Sequence, residues 1–388
     1  MSTTSFHTPS VTSRLPRVGT TIFTVMSALA QQHNAVNLGQ GFPDFDCAPV
    51  LLDAVNTAMR SGLNQYPPMA GVPLFREAIA AKVASLYGHA YDPGSEITVT
   101  AGATQAIITA ILALVHPGDE VIVLDPCYDS YEPNIELAGG VAVHVPLTPG
   151  SFAPDFALIQ AAITPRTRAI IVNTPHNPSA TVWSAAHMQS LAKLLRGTDI
   201  VVIADEVYEH MVFDGALHQS VARFPELSQR SVVVSSFGKT YHVTGWKVGY
   251  AAAPATLMAE FRKVHQFNVF TVNTPMQHGL ASFMADASRH LDLPGFYQRK
   301  RDLFRSGLAQ TRFKLLPSAG SYFQCVDYSA ISDQSEEAFC RWLTAEVGVA
   351  AIPVSAFYQG GFEQRLARFC FAKKEETLNL ALERLSRL

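Results

Sequence analysis

Four unbroken apolar runs constrain this chain most: Val121-Ile122-Val123-Leu124, Ala169-Ile170-Ile171-Val172, Ile200-Val201-Val202-Ile203 and Val232-Val233-Val234. Each has strand length, and none alternates apolar with polar residues. Strands of that kind are buried on both faces, as in a largely parallel sheet covered by helices. Around them the period changes. Glu96-Ile97-Thr98-Val99-Thr100 is a further strand candidate. From Thr104 onward Ile107, Ile108, Ile111, Leu112 and Val115 form a helical stripe, which Pro117-Gly118-Asp119 stops. The expected class is α/β, and 388 residues suit two lobes better than one core.

Composition excludes several functions. Charged residues make up 16% and the net charge is -3, so there is no electrostatic case for nucleic acid. No apolar run approaches the ~20 residues that cross a bilayer, so no membrane partner is expected. Met1 to Pro16 is rich in Ser and Thr without the apolar core of a secretory signal, and is expected to be a frayed terminus. Cys47, Cys127, Cys325, Cys340 and Cys370 are scattered and lack metal-ligand spacing. No metal site is expected, and reduced thiols in a cytoplasmic protein are.

Ligands of parallel sheets bind outside the carboxyl ends of the strands, so the residues after each run belong together. The last run delivers Ser235-Ser236-Phe237-Gly238-Lys239-Thr240. A lysine after a strand is ordinarily solvated, and Ser-x-x-Lys also occurs in hydrolases that pair Ser with Lys. A buried lysine has another use, because its amine works neutral or as an imine. That points to a Schiff base with pyridoxal phosphate.

The other strand ends carry residues such a site needs. Ala101-Gly102-Ala103-Thr104 opens a helix whose free N–H groups suit a phosphate, although the same residues suit a plain cap. Tyr128 in Asp125-Pro126-Cys127-Tyr128 could stack on a flat ring or fill a core. Asn177 sits in the proline-framed turn Asn173-Thr174-Pro175-His176-Asn177-Pro178, which needs no function beyond turning. Its amide would otherwise donate to a phenolic oxygen, with His176 a turn or surface residue. Asp205 ends a strand, where a carboxylate is costly unless paired; a protonated pyridine nitrogen is one partner, a metal or helix cap another. Glu206 would start the next helix pointing elsewhere, and Tyr208 could reach the same ring.

The joint pattern resembles the class I/II pyridoxal phosphate-dependent aminotransferases of fold type I, from about Leu15 to the C-terminus. The carriers are Val36-Asn37-Leu38-Gly39-Gln40-Gly41-Phe42-Pro43-Asp44-Phe45, Asn64-Gln65-Tyr66, Asn177-Pro178, Asp205-Glu206-Val207-Tyr208, Ser236-Phe237-Gly238-Lys239-Thr240, Gly245-Trp246-Lys247-Val248-Gly249-Tyr250 and Arg368-Phe369-Cys370-Phe371-Ala372-Lys373. The Asn-Pro turn continuing Ser179-Ala180, and Lys247 where many members have Arg, narrow the match to the methionine aminotransferase and kynurenine aminotransferase/cysteine-conjugate β-lyase branch.

The resemblance implies roles for particular residues. Lys239 forms the Schiff base and then shuttles the proton. Asp205 pairs with the pyridinium, Asn177 and Tyr208 bond the phenolic oxygen, and Tyr128 stacks on the ring. Gly102, Ala103, Thr104, Ser236 and Lys247 hold the phosphate, with Tyr66 reaching across from a partner subunit. Arg368 grips the substrate α-carboxylate, a task suited to its two-pronged geometry, helped by Asn177 and Gly41. Phe23 and the partner's Phe270 line the side-chain pocket. Residues 1–14 would be a flexible tail, 15–49 and 295–388 a smaller α/β domain, and 50–294 the large cofactor domain with a mostly parallel sheet. The expected species is a homodimer with shared sites.

The implied reaction moves the amino group of methionine or aromatic amino acids to a 2-oxo acid. The same site could run β-elimination on cysteine S-conjugates or act on kynurenine. A non-catalytic regulator would carry an extra N-terminal DNA-binding domain, and only a short segment precedes Leu15. A nicotinamide dehydrogenase is disfavoured because Gly39-Gln40-Gly41 lacks the third glycine and the strand–helix context.

Overall fold

A computed structural model describes residues 9–388. The expected N-terminal tail falls largely on residues 1–8, outside the described residues.

The apolar runs pair into one seven-stranded sheet. Its order is Ile97–Thr100, Gly249–Ala252, Ser231–Ser236, Val201–Asp205, Thr167–Asn173, Glu120–Asp125 and Val141–Pro146. Only Gly249–Ala252 runs antiparallel to its neighbours. The runs do face two cores. Ile170, Val172, Val202, Ala204 and Val233 join one cluster with Phe75, Ile79, Met188 and Leu191. Their alternates Ala169, Ile171, Val201, Ile203, Val232 and Val234 join another with Ala106, Ile107, Ala110, Ile111 and Phe261. Helices Pro73–Tyr87 and Ala185–Leu195 therefore cover one face, and Gly102–Leu114 and Ala255–Asn268 the other.

Two boundaries differ from the sequence reading. Glu96 lies before the strand, where its carboxylate accepts the N–H groups of Asp92 and Ala255. The helix expected from Thr104 starts at Gly102 and ends at Leu114, well before Pro117. Val115 is already extended, one residue ahead of His116, the position that Pro117 itself restricts.

A second core gathers both ends of the chain. Met26, Val36 and Leu38 pack with Tyr297, Phe304, Phe323, Phe339, Phe369 and Leu378. Here a four-stranded antiparallel sheet has the order Ile352–Pro353, Leu366–Cys370, Phe323–Asp327, Lys314–Leu315, and Val36–Asn37 pairs in parallel with Val349–Ala350. Tyr208 and Phe213 from the large sheet's side belong to this core too. The carboxyl ends of the large sheet thus face the second core across a cleft.

Candidate active site

The cleft holds a cavity of about 440 Å³ whose wall includes Phe23, Gly41, Gly102, Ala103, Thr104, Tyr128, Asn177, Asp205, Tyr208, Ser236, Lys239, Lys247 and Arg368. Thirteen side chains or backbone segments named from sequence alone therefore converge on one space.

Its floor comes from adjacent strands. Asn173 and Asp205 are register partners at neighbouring strand ends. Ser231–Ser236 runs beside them into the short helix Phe237–Thr240, which carries Lys239. Gly238 allows that turn, because a Cβ there would fall 2.9 Å from Thr244 Cα. Lys239 Nζ donates to Gly41 O at 2.9 Å and to Tyr322 Oη at 2.7 Å. Burial lowers its pKa to about 8, with Asp205 pulling the other way and Arg368 and Lys247 reinforcing the drop. Asp205 is buried; its Oδ2 accepts the Tyr131 hydroxyl at 2.6 Å and burial pushes its pKa up to about 6. Glu206 does point elsewhere, accepting from Val221 N–H and contacting His218, but it starts no helix, since residues 207–210 form a turn. His176 is not a surface residue: it lies buried in its turn, 2.6 Å from Ser179 Oγ.

A second corner has the chemistry that suits an anion. Gly102 opens a thirteen-residue helix at φ +78°, and a Cβ there would fall 3.3 Å from Lys247 Cε. On Gly249 it would fall 2.6 Å from Ser235 O and 3.2 Å from the Ala103 nitrogen. The helix N-terminus, the strand end bearing Ser236 and the Lys247 ammonium can therefore close around one small group only with glycine at both positions.

The third wall belongs to the small sheet. Arg368 lies on Leu366–Cys370, 1% exposed, and donates to Asn177 Oδ1 at 2.6 Å and Gly39 O at 2.9 Å. Its guanidinium stacks 4.0 Å from the Phe323 ring centroid, with Phe357 and Phe23 at 5.0 and 5.5 Å. The buried Nε has no hydrogen-bond partner. None of the acidic residues is salt-bridged to it among the described residues.

Tyr66 and Phe270 are not on this wall. They pair edge to face at 5.3 Å on an exposed surface, Tyr66 being 81% exposed. Tyr131, Tyr322 and Phe323 are site residues that the sequence reading missed. Tyr131 had a signal, lying three residues beyond Tyr128 at the start of the helix Tyr131–Leu137. Tyr322 and Phe323 had none short of the fold, being more than eighty positions beyond Lys239.

A buried amine, a buried carboxylate at the neighbouring strand end, an anion cradle and a guanidinium with a spare donor form a set that fits pyridoxal phosphate and an amino acid together. Residues 33–385 match the family model described as aminotransferase class I and II. The chain belongs to the class I and II aminotransferases. It is 54% identical over 377 residues to methionine aminotransferase of Escherichia coli (strain K12), spanning 97% of this chain and 98% of that one. A solved Escherichia coli structure with methionine aminotransferase function superposes at TM-score 0.97, covering 98% and 100% of the two chains at 53% identity. N-succinyldiaminopimelate aminotransferase from Mycobacterium tuberculosis superposes at 0.93, with 42% identity and coverage of 97% and 100%. Human kynurenine–oxoglutarate transaminase 1 is 36% identical over 92% of this chain and 93% of its own. The class I/II aminotransferase therefore has the expected fold type I α/β architecture, uses pyridoxal 5'-phosphate and acts on amino acids and 2-oxo acids. Among the described residues no helix is long and apolar enough to cross a membrane.

Proposed function

We propose that this aminotransferase takes methionine as a preferred amino donor, accepts aromatic amino acids including kynurenine, and passes the amino group to a 2-oxo acid in the cytoplasm. The observation that carries the donor preference is the cavity's charge inventory. Its cations among the described residues are Lys239, Lys247 and Arg368. Two belong to the cofactor and one to the substrate α-carboxylate, so an acidic side chain would lose its hydration without gaining a partner. Near Arg368 the wall has the rings of Phe23 and Phe323 beside the polar Thr21 and Gln40, and the Asp129 carboxylate in the same wall would repel an acidic side chain. An unbranched thioether or a flat ring suits it, and such a wall separates similar apolar side chains by only ~1–3 kcal/mol. The names of the methionine and kynurenine relatives support the same range.

Pyridoxal phosphate supplies the electron sink for negative charge at the substrate Cα. Lys239 would hold it covalently, and its amine, with a pKa near 8, is suited to take and return the Cα proton close to neutrality. Asp205 would hold the ring nitrogen protonated, at the end where Tyr131 already orients the carboxylate. The Oδ1 of Asn177 is committed to Arg368, which leaves its Nδ2 and the Tyr208 hydroxyl to donate to the ring oxygen. Tyr128 would stack on the ring. Gly102, Ala103, Thr104, Ser236 and Lys247 would hold the phosphate. Arg368, with Asn177 and Gly41, would fix the α-carboxylate and so aim the Cα–H bond at Lys239, while Phe23 covers the side chain.

The proposed unit is a homodimer in which Tyr66 and Phe270 complete the neighbour's site; their exposed pairing, away from the chain's own cavity, supports this. Residues 15–49 and 295–388 are proposed as the small domain and 50–294 as the large one, supported by the second core, most of whose members come from the two chain ends.

The test is kcat/KM for methionine against aspartate with a common 2-oxo acid. Methionine should exceed aspartate by at least about tenfold, the scale of one unpaired buried charge or more. Aspartate equal to or better than methionine overturns the donor reading and leaves the cofactor sites standing.

A further inference from the structure

The Lys239 amine has two acceptors from outside its own strand, and one is a side chain to which no role has yet been given. Tyr322 is fully buried, and its hydroxyl accepts from Lys239 Nζ at 2.7 Å. The same hydroxyl donates to Gly41 O, which also accepts from Lys239 Nζ at 2.9 Å. The ring is fixed edge to face against Tyr208 at 5.0 Å and tilted against Tyr297 at 5.9 Å. Its backbone is fixed as well. Tyr322 O accepts Phe371 N–H at 3.0 Å, and the preceding Ser321 holds a left-handed φ of +59°. A Cβ on the neighbouring Gly320 would fall 2.6 Å from Val182 Cγ2 and 2.8 Å from Met211 O.

We propose that the Tyr322 hydroxyl and the Gly41 carbonyl form a dock for the free amine of Lys239, making Tyr322 a positioning residue of the proton shuttle. This rests on Lys239 being the cofactor's anchor. The reasoning is a count of donors and acceptors. A neutral amine has two N–H bonds and one lone pair. The dock offers two acceptors, so both N–H bonds are directed. The Tyr208 hydroxyl is a further partner of the same oxygen; with the Tyr322 proton directed at Gly41 O, the hydroxyl does not cap the amine's lone pair. The lone pair is left in the one remaining tetrahedral direction, free to receive a proton. Both halves of the dock belong to segments packed in the second core or leading from it, whereas Lys239 comes from the large sheet. The amine is therefore docked only when the two sides of the cleft are together.

The test loads the full-length protein with pyridoxamine phosphate, which leaves Lys239 unbonded. Lys239 is then labelled with trace acetic anhydride across a pH series and quantified by peptide mass. The other groups that set its titration are Cys370, Arg368, Asp205 and Lys247, with the Tyr208 ring centroid 5.6 Å from Nζ, and none is altered. Tyr322→Phe keeps the ring and removes the acceptor. A hydroxyl stabilises an ammonium more than an amine, so its loss should move the labelling midpoint down by about one pH unit. In turnover kcat should fall about tenfold while KM for methionine changes less than about twofold. Tyr297→Phe removes a buried hydroxyl of the same aromatic layer that has no partner, and should move neither. Should Tyr322→Phe fail to fold, Tyr322→Leu, which loses the ring as well as the hydroxyl, is read by the labelling midpoint alone, with the same downward shift expected. An unmoved midpoint, or a loss confined to KM, overturns the dock. Borohydride reduction of the parent that fixes the cofactor to another lysine overturns the underlying assignment instead.

Discussion

Asp205→Asn should make the cofactor-free protein more stable and the loaded enzyme much slower. Asp205 is 4% exposed, and its carboxylate gains the Tyr131 hydroxyl at 2.6 Å and the Val207 N–H at 3.4 Å. These do not offset burial, which raises its pKa from 3.8 to about 6. A raised native pKa means that the folded chain binds this proton more tightly than the unfolded chain. The stabilisation is complete below pH 3.8 and is lost as pH rises through about 6. At 1.36 kcal/mol per pH unit, the ionised Asp205 costs about 3 kcal/mol once the pH is well above 6. Asparagine has the same shape, still accepts from Tyr131, and carries no charge. Urea unfolding of both cofactor-free proteins at about pH 5, 6 and 7.5 should give the variant an advantage that grows to as much as about 3 kcal/mol. With cofactor bound the order reverses in function. The ring nitrogen loses its charge partner, and the single-turnover rate with methionine should fall by about a hundredfold or more. A variant less stable than its parent at the highest pH, or one with a near-normal single turnover, refutes the reasoning.

Arg368→Lys keeps the charge but removes the fork and the contacts to both Asn177 and Gly39. With one to two charge-assisted hydrogen bonds lost, each worth about 1.5–3 kcal/mol, kcat/KM for methionine should fall by roughly 10–10⁴; a loss below about fivefold would place the α-carboxylate elsewhere. Mixing inactive Lys239→Ala with inactive Tyr66→Ala chains should regain activity in mixed dimers, since one site then has both intact residues; no recovery in mixed dimers verified by mass would mean that each chain is self-sufficient.

The sequence made the sheet legible because strands buried on both faces leave long apolar runs, and much of the cavity's floor because its residues follow those runs directly. Lys239, Asp205, Asn177 and Gly102 were each found as the next residues after a strand. Element ends were harder. Val115 continues the apolar stripe yet is extended, so the helix ends two residues before the position that Pro117 itself restricts, His116. The substrate side was legible only through the family resemblance. Arg368 sits among apolar neighbours on a strand far along the chain, and nothing local distinguishes it from a core arginine. Tyr322 and Phe323 enter the site because the second core folds both chain ends over the sheet. That is a long-range pairing, so a reading confined to neighbours in sequence passes over it. Tyr131 was missed differently: it stands three residues past Tyr128, and its partner Asp205 lies on another strand.

The central claim is that Lys239 anchors the cofactor at the end of the Ser231–Ser236 strand, and peptide mass after borohydride reduction tests it most directly. The purified, cofactor-loaded protein should be yellow, lose that colour on reduction, and yield a single peptide with the reduced adduct on Lys239. Lys239→Ala should yield no such peptide and no turnover. An adduct on Lys247 or any other lysine, or turnover by the alanine variant, would contradict the account.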